Sequence, residues 1–169
     1  MPTLDTAIVY PGLGLFEGTN ISEGRGTTRP FELFGAPFVD SNKLHNELNT
    51  LKLPGVYFRP CTIVPTFHKF KNEICGALQI HVTNRARFHA YKTGLALLYC
   101  LKKLYPDDFN WRRDTYEFRS DVPAIDLLTG SPLIRQALDA GKSLEHIWKI
   151  SEHSLEIYNN VRENILLYE

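Results

Sequence analysis

The chain has 169 residues, and its 19 Lys and Arg residues balance its 19 Asp and Glu residues, so the formal net charge is zero. That balance excludes a dominant role in binding nucleic acid, because nucleic-acid modules usually carry a basic excess or stripe. No apolar run approaches the ~20 residues that a membrane span needs. The hydrophobic content of 43% is typical of globular proteins, and we expect residues 1–169 to form a single domain.

The three cysteines, Cys61, Cys75 and Cys100, lack the close spacing of metal ligands. The sequence therefore predicts no metal site, and we expect no cofactor. Cys100 lies in an apolar helical stretch, which is typical of a buried thiol. Cys61 and Cys75 fall in neighbouring predicted strands; whether they form a disulfide stays open, because pairing depends on a Cα separation that sequence does not reveal.

The first third of the chain predicts a short strand, a long loop and a helix. Residues 6–10 have the pattern of a strand. Five of the eleven glycines lie between Gly12 and Gly26, which is typical of a loop, and the loop extends over residues 11–35. Residues 41–52 then predict a helix, with leucines at helical spacing behind Asp40 or Ser41 as the N-terminal cap.

Two strands follow. Pro60 and Pro65 make residues 56–66 an irregular or edge strand, because proline cannot donate to a sheet ladder. Residues 73–83 predict the clearest strand, in which apolar and polar side chains alternate and therefore lie on opposite faces.

The second half of the chain is predicted to be mostly helical. A helix is expected from residue 83 or 84 to about residue 105. The stretch over residues 107–122 that follows is left unassigned, with an extended segment at residues 116–119 as an alternative. Shorter helices are expected at residues 123–128 and from residue 131 to about 140, and Ser143 caps the last helix. The fold class is therefore α+β, a small mixed sheet with flanking helices, with strands mainly in the first half.

Charged and polar side chains are concentrated in the glycine-rich loop. It carries three carboxylates, Glu17, Glu23 and Glu32, and two guanidinium groups, Arg25 and Arg29. Such a set suits a ligand with many hydroxyls and one negative charge. It equally suits a structural loop whose ions pair with one another, and both interpretations stay open. Neither of the glycine-rich phosphate-binding motifs G-x-x-x-x-G-K-[ST] and G-x-G-x-x-G is present.

One long stretch, EGTNISEGRGTTRPFELFGAPF at residues 17–38, closely resembles the C-terminal domain of the exo-β-N-acetylmuramidases, the NamZ-type peptidoglycan hydrolases. The resemblance extends over nearly the whole chain. It also includes MPTLDTAIVYPG at residues 1–12, LPGVYFRP at 53–60, CGALQIHVTN at 75–84, TGLALLYCLKKLYP at 93–106 and ILLY at 165–168.

The resemblance implies a two-domain enzyme with its active site in the cleft between an N-terminal Rossmann-like half and the C-terminal half. Members of the family release N-acetylmuramic acid from the non-reducing end of peptidoglycan fragments, in cell-wall degradation and recycling. The glutamate regarded as catalytic lies in a PEHG motif of the N-terminal half, and the present sequence contains no PEHG. We therefore expect a C-terminal half that is inactive alone.

The partners that the resemblance implies are the N-terminal half of the same enzyme and a muropeptide or MurNAc-GlcNAc glycan. It also suggests an extracytoplasmic setting, periplasmic or secreted, which the chain itself does not specify. The alternative function is a module that binds carbohydrate without hydrolysing it, or that only docks onto the other half.

The family motif nominates site residues position by position: Glu17, Asn20, Ser22, Arg25, Gly26, Thr27 and Arg29. Glu17 could be a catalytic carboxylate or could only bind sugar hydroxyls. Arg25 or Arg29 could hold the lactyl carboxylate that distinguishes muramic acid from glucosamine, although Arg29 could instead pair with Glu32. His81, in the IHVT stretch, either contacts substrate or is satisfied at the end of its strand.

Several aromatic and histidine residues complete the expectations. Phe31, Phe34 and Phe38 are expected to contribute to an exposed apolar patch where the other half docks. Trp111 could stack on a sugar, and Trp148 fits a helical core position. The remaining histidines are expected at the surface: His45, His68, His89, His146 and His153.

Overall fold

The computed structural model describes residues 1–168 and confirms the α+β fold class. A 3₁₀ helix at Gly14–Gly18 follows α1. The helices are α1 (Leu4–Leu13), α2 (Ser41–Thr50), α3 (Ala90–Leu104), α4 (Ala124–Thr129), α5 (Leu133–Asp139) and α6 (Leu144–Arg162), and the strands are β1 (Leu33–Ala36), β2 (Val56–Ile63) and β3 (Cys75–Val82).

The three strands form a sheet in the order β1-β3-β2, and both strand pairs are antiparallel, so the sheet is not the mixed sheet that was expected. β2 is an edge strand, as Pro60 within it predicts. The alternation expected along β3 is present, with Leu78 and Ile80 buried and His81 exposed. Cys61 lies opposite Ala77 and Cys75 opposite Ile63, so the two cysteines share one face of the sheet, where both are free thiols.

The strand expected at residues 6–10 is wrong, because these residues lie within α1. The side chain of Thr3 caps the helix by accepting a hydrogen bond from the backbone of Thr6. A Cβ on Gly12 would lie 2.0 Å from the carbonyl oxygen of Ala90, so glycine allows α1 to pack directly against α3. This tertiary contact outweighs the local β preference of Ile8 and Val9.

The predicted start of α3 is also wrong, by about six residues. Asn84 closes a turn instead, since its side chain accepts a hydrogen bond from the backbone of Arg87. His89 is the actual N-cap and accepts from the backbone of Lys92. The caps predicted for α2 and α6 are confirmed at Asp40 and Ser143.

The expected exposed patch is wrong for two of its three phenylalanines. Phe31 is 5% exposed and Phe34 is fully buried, whereas Phe38 is partly buried against the core. Phe34 faces inward from β1 and packs on Phe16, with 5.1 Å between ring centroids.

Exposed apolar surface is instead concentrated at the end of the chain. In residues 1–168, no helix has both the length and the apolar character needed to cross a membrane. Eight large apolar side chains of the region 155–168 are nevertheless about half exposed or more: Leu155, Ile157, Tyr158, Val161, Ile165, Leu166, Leu167 and Tyr168.

Candidate functional site

The motif segment, residues 17–32, folds tightly against β1 and the 64–72 segment. Ser22 and Gly35 exchange two backbone hydrogen bonds of 2.9 and 3.0 Å. Gly24 and Gly26 have positive φ angles of 77° and 82°. A Cβ on Gly24 would lie 2.3 Å from the carbonyl oxygen of Leu33, and one on Gly26 would lie 2.7 Å from backbone nitrogens of the 66–67 pair. These two glycines therefore allow the chain to pack against its own backbone.

Glu23 is the buried ionic centre of this segment. One carboxylate oxygen accepts from Arg25 Nε at 2.9 Å, and the other accepts from Lys69 Nζ at 2.9 Å. Burial by itself raises the pKa of Glu23, but the charge and hydrogen bond of Lys69 outweigh it and hold that pKa below its ordinary value. Lys69 also donates to the carbonyl oxygens of Phe16 and Ile21, at 2.9 and 3.0 Å. All three of its donors are thus used within the fold.

Arg25 joins this centre to Glu17 near the surface. Arg25 Nη2 donates to Glu17 Oε1 at 2.7 Å, and the Tyr116 hydroxyl donates to Glu17 Oε2 at 2.9 Å. The side chain of Arg25 remains 39% exposed and that of Glu17 15%. Burial and the hydrogen bond to Glu17 both raise the pKa of Tyr116, so its hydroxyl stays protonated and keeps donating. The pair forms a fixed polar surface.

Arg29 and Glu32 form a second ion pair, as one of the sequence alternatives expected. Arg29 Nη1 donates to Glu32 Oε2 at 2.9 Å. The other Glu32 oxygen accepts from the hydroxyls of Thr3, the N-cap of α1, and Thr6, within α1. Burial raises the pKa of Glu32, but these three donors outweigh it and hold the pKa below its ordinary value. The pair therefore links the motif to the first helix.

The polar motif residues also make hydrogen bonds within the chain. The amide of Asn20 donates to the Asp108 carbonyl at 2.8 Å and accepts from the Asn110 backbone at 2.9 Å. The Ser22 side chain is buried and accepts from Gly24 N, while Thr27 donates to Gly24 O at 2.6 Å.

His81 is separate from the contacts that join the motif residues. It is exposed at the end of β3, and its ring centroid lies 6.4 Å from that of Tyr57.

Sequence reasoning missed the side chains that complete the buried centre. Lys69 donates to Glu23, and Tyr116 donates to Glu17. His68, which was expected at the surface, is half exposed, and its Nδ1 lies 3.4 Å from a carboxylate oxygen of Glu23. Glu23 and Lys69 are 46 residues apart in sequence, and Glu17 and Tyr116 are 99 apart. No local spacing could have revealed these pairs.

A cleft of 680 Å³ adjoins the motif and is lined by segments 19–20, 68–70 and 110–114. Its volume lies within the range of about 300–1,000 Å³ that is typical of small-molecule sites. Trp111 lines the cleft and donates from Nε1 to Asp139 at 2.8 Å. Among residues 1–168, no three His, Cys, Asp or Glu side chains are grouped as metal ligands would be.

Comparison with known proteins identifies relatives of the whole chain. A family model described as "Exo-beta-N-acetylmuramidase NamZ, C-terminal" matches residues 8–168. The chain is 45% identical over 168 residues to "Peptidoglycan beta-N-acetylmuramidase NamZ" of Bacillus subtilis (strain 168), covering 99% of this chain and 39% of that protein.

Two solved structures of DUF1343 family proteins from Bacteroides fragilis share the architecture. One aligns with a TM-score of 0.82 at 26% identity and covers 96% of this chain and 42% of its own. The other aligns with a TM-score of 0.63 at 22% identity, covering 99% and 42%, and supports the fold alone. The chain thus spans about two fifths of the length of each of these three relatives.

Proposed function

The chain belongs to the family of NamZ C-terminal domains, and on that premise we propose that it is the glycan-binding part of an exo-acting β-N-acetylmuramidase. Such an enzyme releases N-acetylmuramic acid from the non-reducing end of peptidoglycan fragments. The activity is taken from the name of the B. subtilis relative, of which this chain covers 39%.

The partly exposed Glu17–Arg25 pair is the observation that carries the proposal. Its carboxylate is held from both sides, by Arg25 and by Tyr116, so its position is set before any ligand arrives. The half-exposed guanidinium adds donors beside it. Preorganised donors and acceptors of this kind suit sugar hydroxyls.

We assign Glu17 to substrate binding ahead of catalysis. Glycoside hydrolysis usually needs two carboxyl groups with separate roles. Both oxygens of Glu17 already accept hydrogen bonds from the chain, an arrangement that suits a fixed acceptor better than a proton donor. The remaining motif residues act around it, with Asn20, Ser22, Gly26 and Thr27 shaping the loop.

The partner in this proposal is the N-terminal part of the same enzyme, and the apolar surface of residues 155–168 is where we place its docking. The B. subtilis relative is more than twice as long as this chain, so a large further part of such an enzyme must be accommodated. Interfaces between domains bury roughly 600–1,500 Å², and a cluster of half-exposed leucine, isoleucine and tyrosine side chains supplies suitable surface.

The test uses a joined enzyme, in which this chain is fused to the N-terminal part of the B. subtilis relative. We expect no release of N-acetylmuramic acid from a chromogenic muramide by the chain alone, and clear release by the joined enzyme. Glu17→Gln should raise KM or lower kcat/KM at least tenfold, because a hydrogen bond between a charged group and a sugar hydroxyl contributes about 1.5–3 kcal/mol.

Glu145→Gln is the matched control, since Glu145 is exposed on α6 outside the motif. An inactive joined enzyme that is folded and assembled would contradict the proposal. Turnover by the repurified chain alone, abolished by Glu17→Gln, would instead make Glu17 catalytic. Equal activity of the Glu17→Gln and Glu145→Gln variants would favour a docking role for this chain.

A further inference from the structure

We propose that the 680 Å³ cleft beside the motif binds the lactyl carboxylate of a muramic acid residue through Arg113 and Arg112. This inference rests on the proposed function and deepens it, because it names the groups that distinguish N-acetylmuramic acid from N-acetylglucosamine. The two sugars differ by one lactyl ether that bears a carboxylate.

The cations of the motif are already compensated within the fold. Arg25 lies between two carboxylates, with distances of 2.7 Å to Glu17 and 2.9 Å to Glu23. Lys69 uses its three donors on Glu23 and two carbonyl oxygens. Arg29 holds Glu32. A third carboxylate placed on Arg25 would meet repulsion from the two already there.

The cleft has the opposite balance of charge. Across residues 1–168, Arg113 forms no ion pair with a described carboxylate, and it is exposed. The Arg112 guanidinium donates to the carbonyl oxygen of Thr115 at 3.1 Å, but it approaches a carboxylate only at Asp114, which is 3.9 Å away and 89% exposed. The cleft-lining segment 110–114 therefore carries two positively charged guanidinium groups and only one carboxylate, which is not firmly paired. This excess of positive charge favours an anionic ligand.

The segment that carries these arginines is fixed to the motif. Arg112 N donates to the carbonyl oxygen of Gly18 at 2.8 Å, and Thr19 pairs with Trp111 in a β-bridge. Asn20 binds the 108–110 backbone through both ends of its amide. A sugar bound at Glu17 and a carboxylate bound at the arginines would thus contact one continuous surface.

Trp111 supplies the apolar part of the cleft. Its indole nitrogen is held by Asp139, and its ring packs edge-to-face on Phe109 with centroids 4.9 Å apart. Lys102 Nζ lies over one face of the indole, 5.5 Å from the ring centroid, and the opposite face is the surface that we assign to the apolar face of a sugar ring. The cleft therefore combines a stacking surface with cations, whereas the motif supplies hydroxyl-binding groups.

The experiment is a titration of the ¹⁵N-labelled chain with N-acetylmuramic acid and, separately, with N-acetylglucosamine, followed by NMR. We expect the Trp111 indole signal to shift with the first sugar, at an affinity at least about tenfold above that for the second, as a charge-assisted hydrogen bond predicts. Arg113→Gln should remove most of this preference, and Arg112→Gln should reduce it. Arg85→Gln, at an exposed ion pair with Asp5, is the control that should retain it.

Equal affinities for the two sugars, or no binding of N-acetylmuramic acid, would overturn the inference. So would loss of the preference in Arg25→Gln while Arg113→Gln keeps it. A joined enzyme that hydrolyses muramides while Arg113→Gln retains the preference would refute this inference alone. An inactive joined enzyme, with the preference lost in Arg113→Gln, would refute the proposed function alone.

Discussion

The motif segment and the neighbouring cleft contain similar side chains in opposite electrostatic conditions. In the motif, Glu23 is fully buried and held by Arg25 and Lys69. In the cleft, Arg113 is exposed and forms no ion pair with the described carboxylates. An arginine is therefore available to an anionic ligand only where the fold has not already paired it with carboxylates.

The variant with the largest expected effect tests whether the charges of the motif stabilise the folded chain. Glu23→Gln leaves Lys69 buried without its carboxylate, and breaking a buried ion pair in this way costs about 3–5 kcal/mol of unfolding free energy. Urea denaturation of the chain measures it. The exposed Glu145→Gln serves as control, with an expected change within about 0.5 kcal/mol; equal stabilities of the two variants would mean that the buried centre contributes nothing.

A second variant tests the packing of the motif backbone. Gly24→Ala combines a positive φ of 77° with a Cβ 2.3 Å from a backbone oxygen, so we expect a loss of about 2–4 kcal/mol. Gly130→Ala is the matched control, because Gly130 also has a positive φ but nothing within 4 Å of the added Cβ. It should cost only about 1–2 kcal/mol. Equal losses would show that the close approach to Leu33 is unimportant.

A third prediction concerns acid. The folded-state pKa values of Glu23 and Glu32 lie below their ordinary value of 4.5, so the unfolded chain binds protons first as the pH falls. Their stabilisation is complete only well above pH 4.5, and it is lost progressively as the pH falls past 4.5 and through the lowered pKa values. Unfolding free energy measured from pH 7 to pH 3 should therefore decline below about pH 5. Glu32→Gln should flatten that decline; an unchanged slope would contradict the assignment.

The smallest expected effect is at the Arg29–Glu32 ion pair of the motif. Arg29 is 46% exposed and Glu32 is buried, but Glu32 keeps its hydrogen bonds from the hydroxyls of Thr3 and Thr6 when Arg29 is removed. Loss of the half-exposed partner should therefore cost only about 1 kcal/mol. Arg29→Ala should therefore lower the unfolding free energy far less than Glu23→Gln in the same urea titration. A loss above about 3 kcal/mol would show that the Arg29–Glu32 pair stabilises the fold as much as the buried Glu23–Lys69 pair.

Local signals in the sequence were sufficient for several elements and insufficient for α1, the start of α3 and β1, since the predicted loop over residues 11–35 in fact contains the end of α1, a 3₁₀ helix and most of β1. The caps at Asp40 and Ser143 and the alternation along β3 depend on neighbouring residues, and the structure confirms them. Residues 6–10 lie in a helix that packs through Gly12 on Ala90, a contact between residues far apart in the chain. Periodicity could not reveal it.

The same limit applies to the site. The composition of the loop identified Glu17, Glu23 and Arg25 as charged groups, but not which partners they would find. Lys69 and Tyr116 reach them from 46 and 99 residues away. The arginines of the cleft lie in the stretch 107–122, which carried no periodic pattern at all.

The most direct test of the glycan-binding role is the ratio of kcat/KM for matched muramide and glucosaminide substrates in the joined enzyme. The account predicts that Arg113→Gln lowers this ratio about tenfold or more, since the lost charge-assisted hydrogen bond contributes about 1.5–3 kcal/mol. Arg85→Gln should leave the ratio unchanged. An unchanged ratio in Arg113→Gln would contradict the account and place carboxylate recognition outside the cleft of this chain.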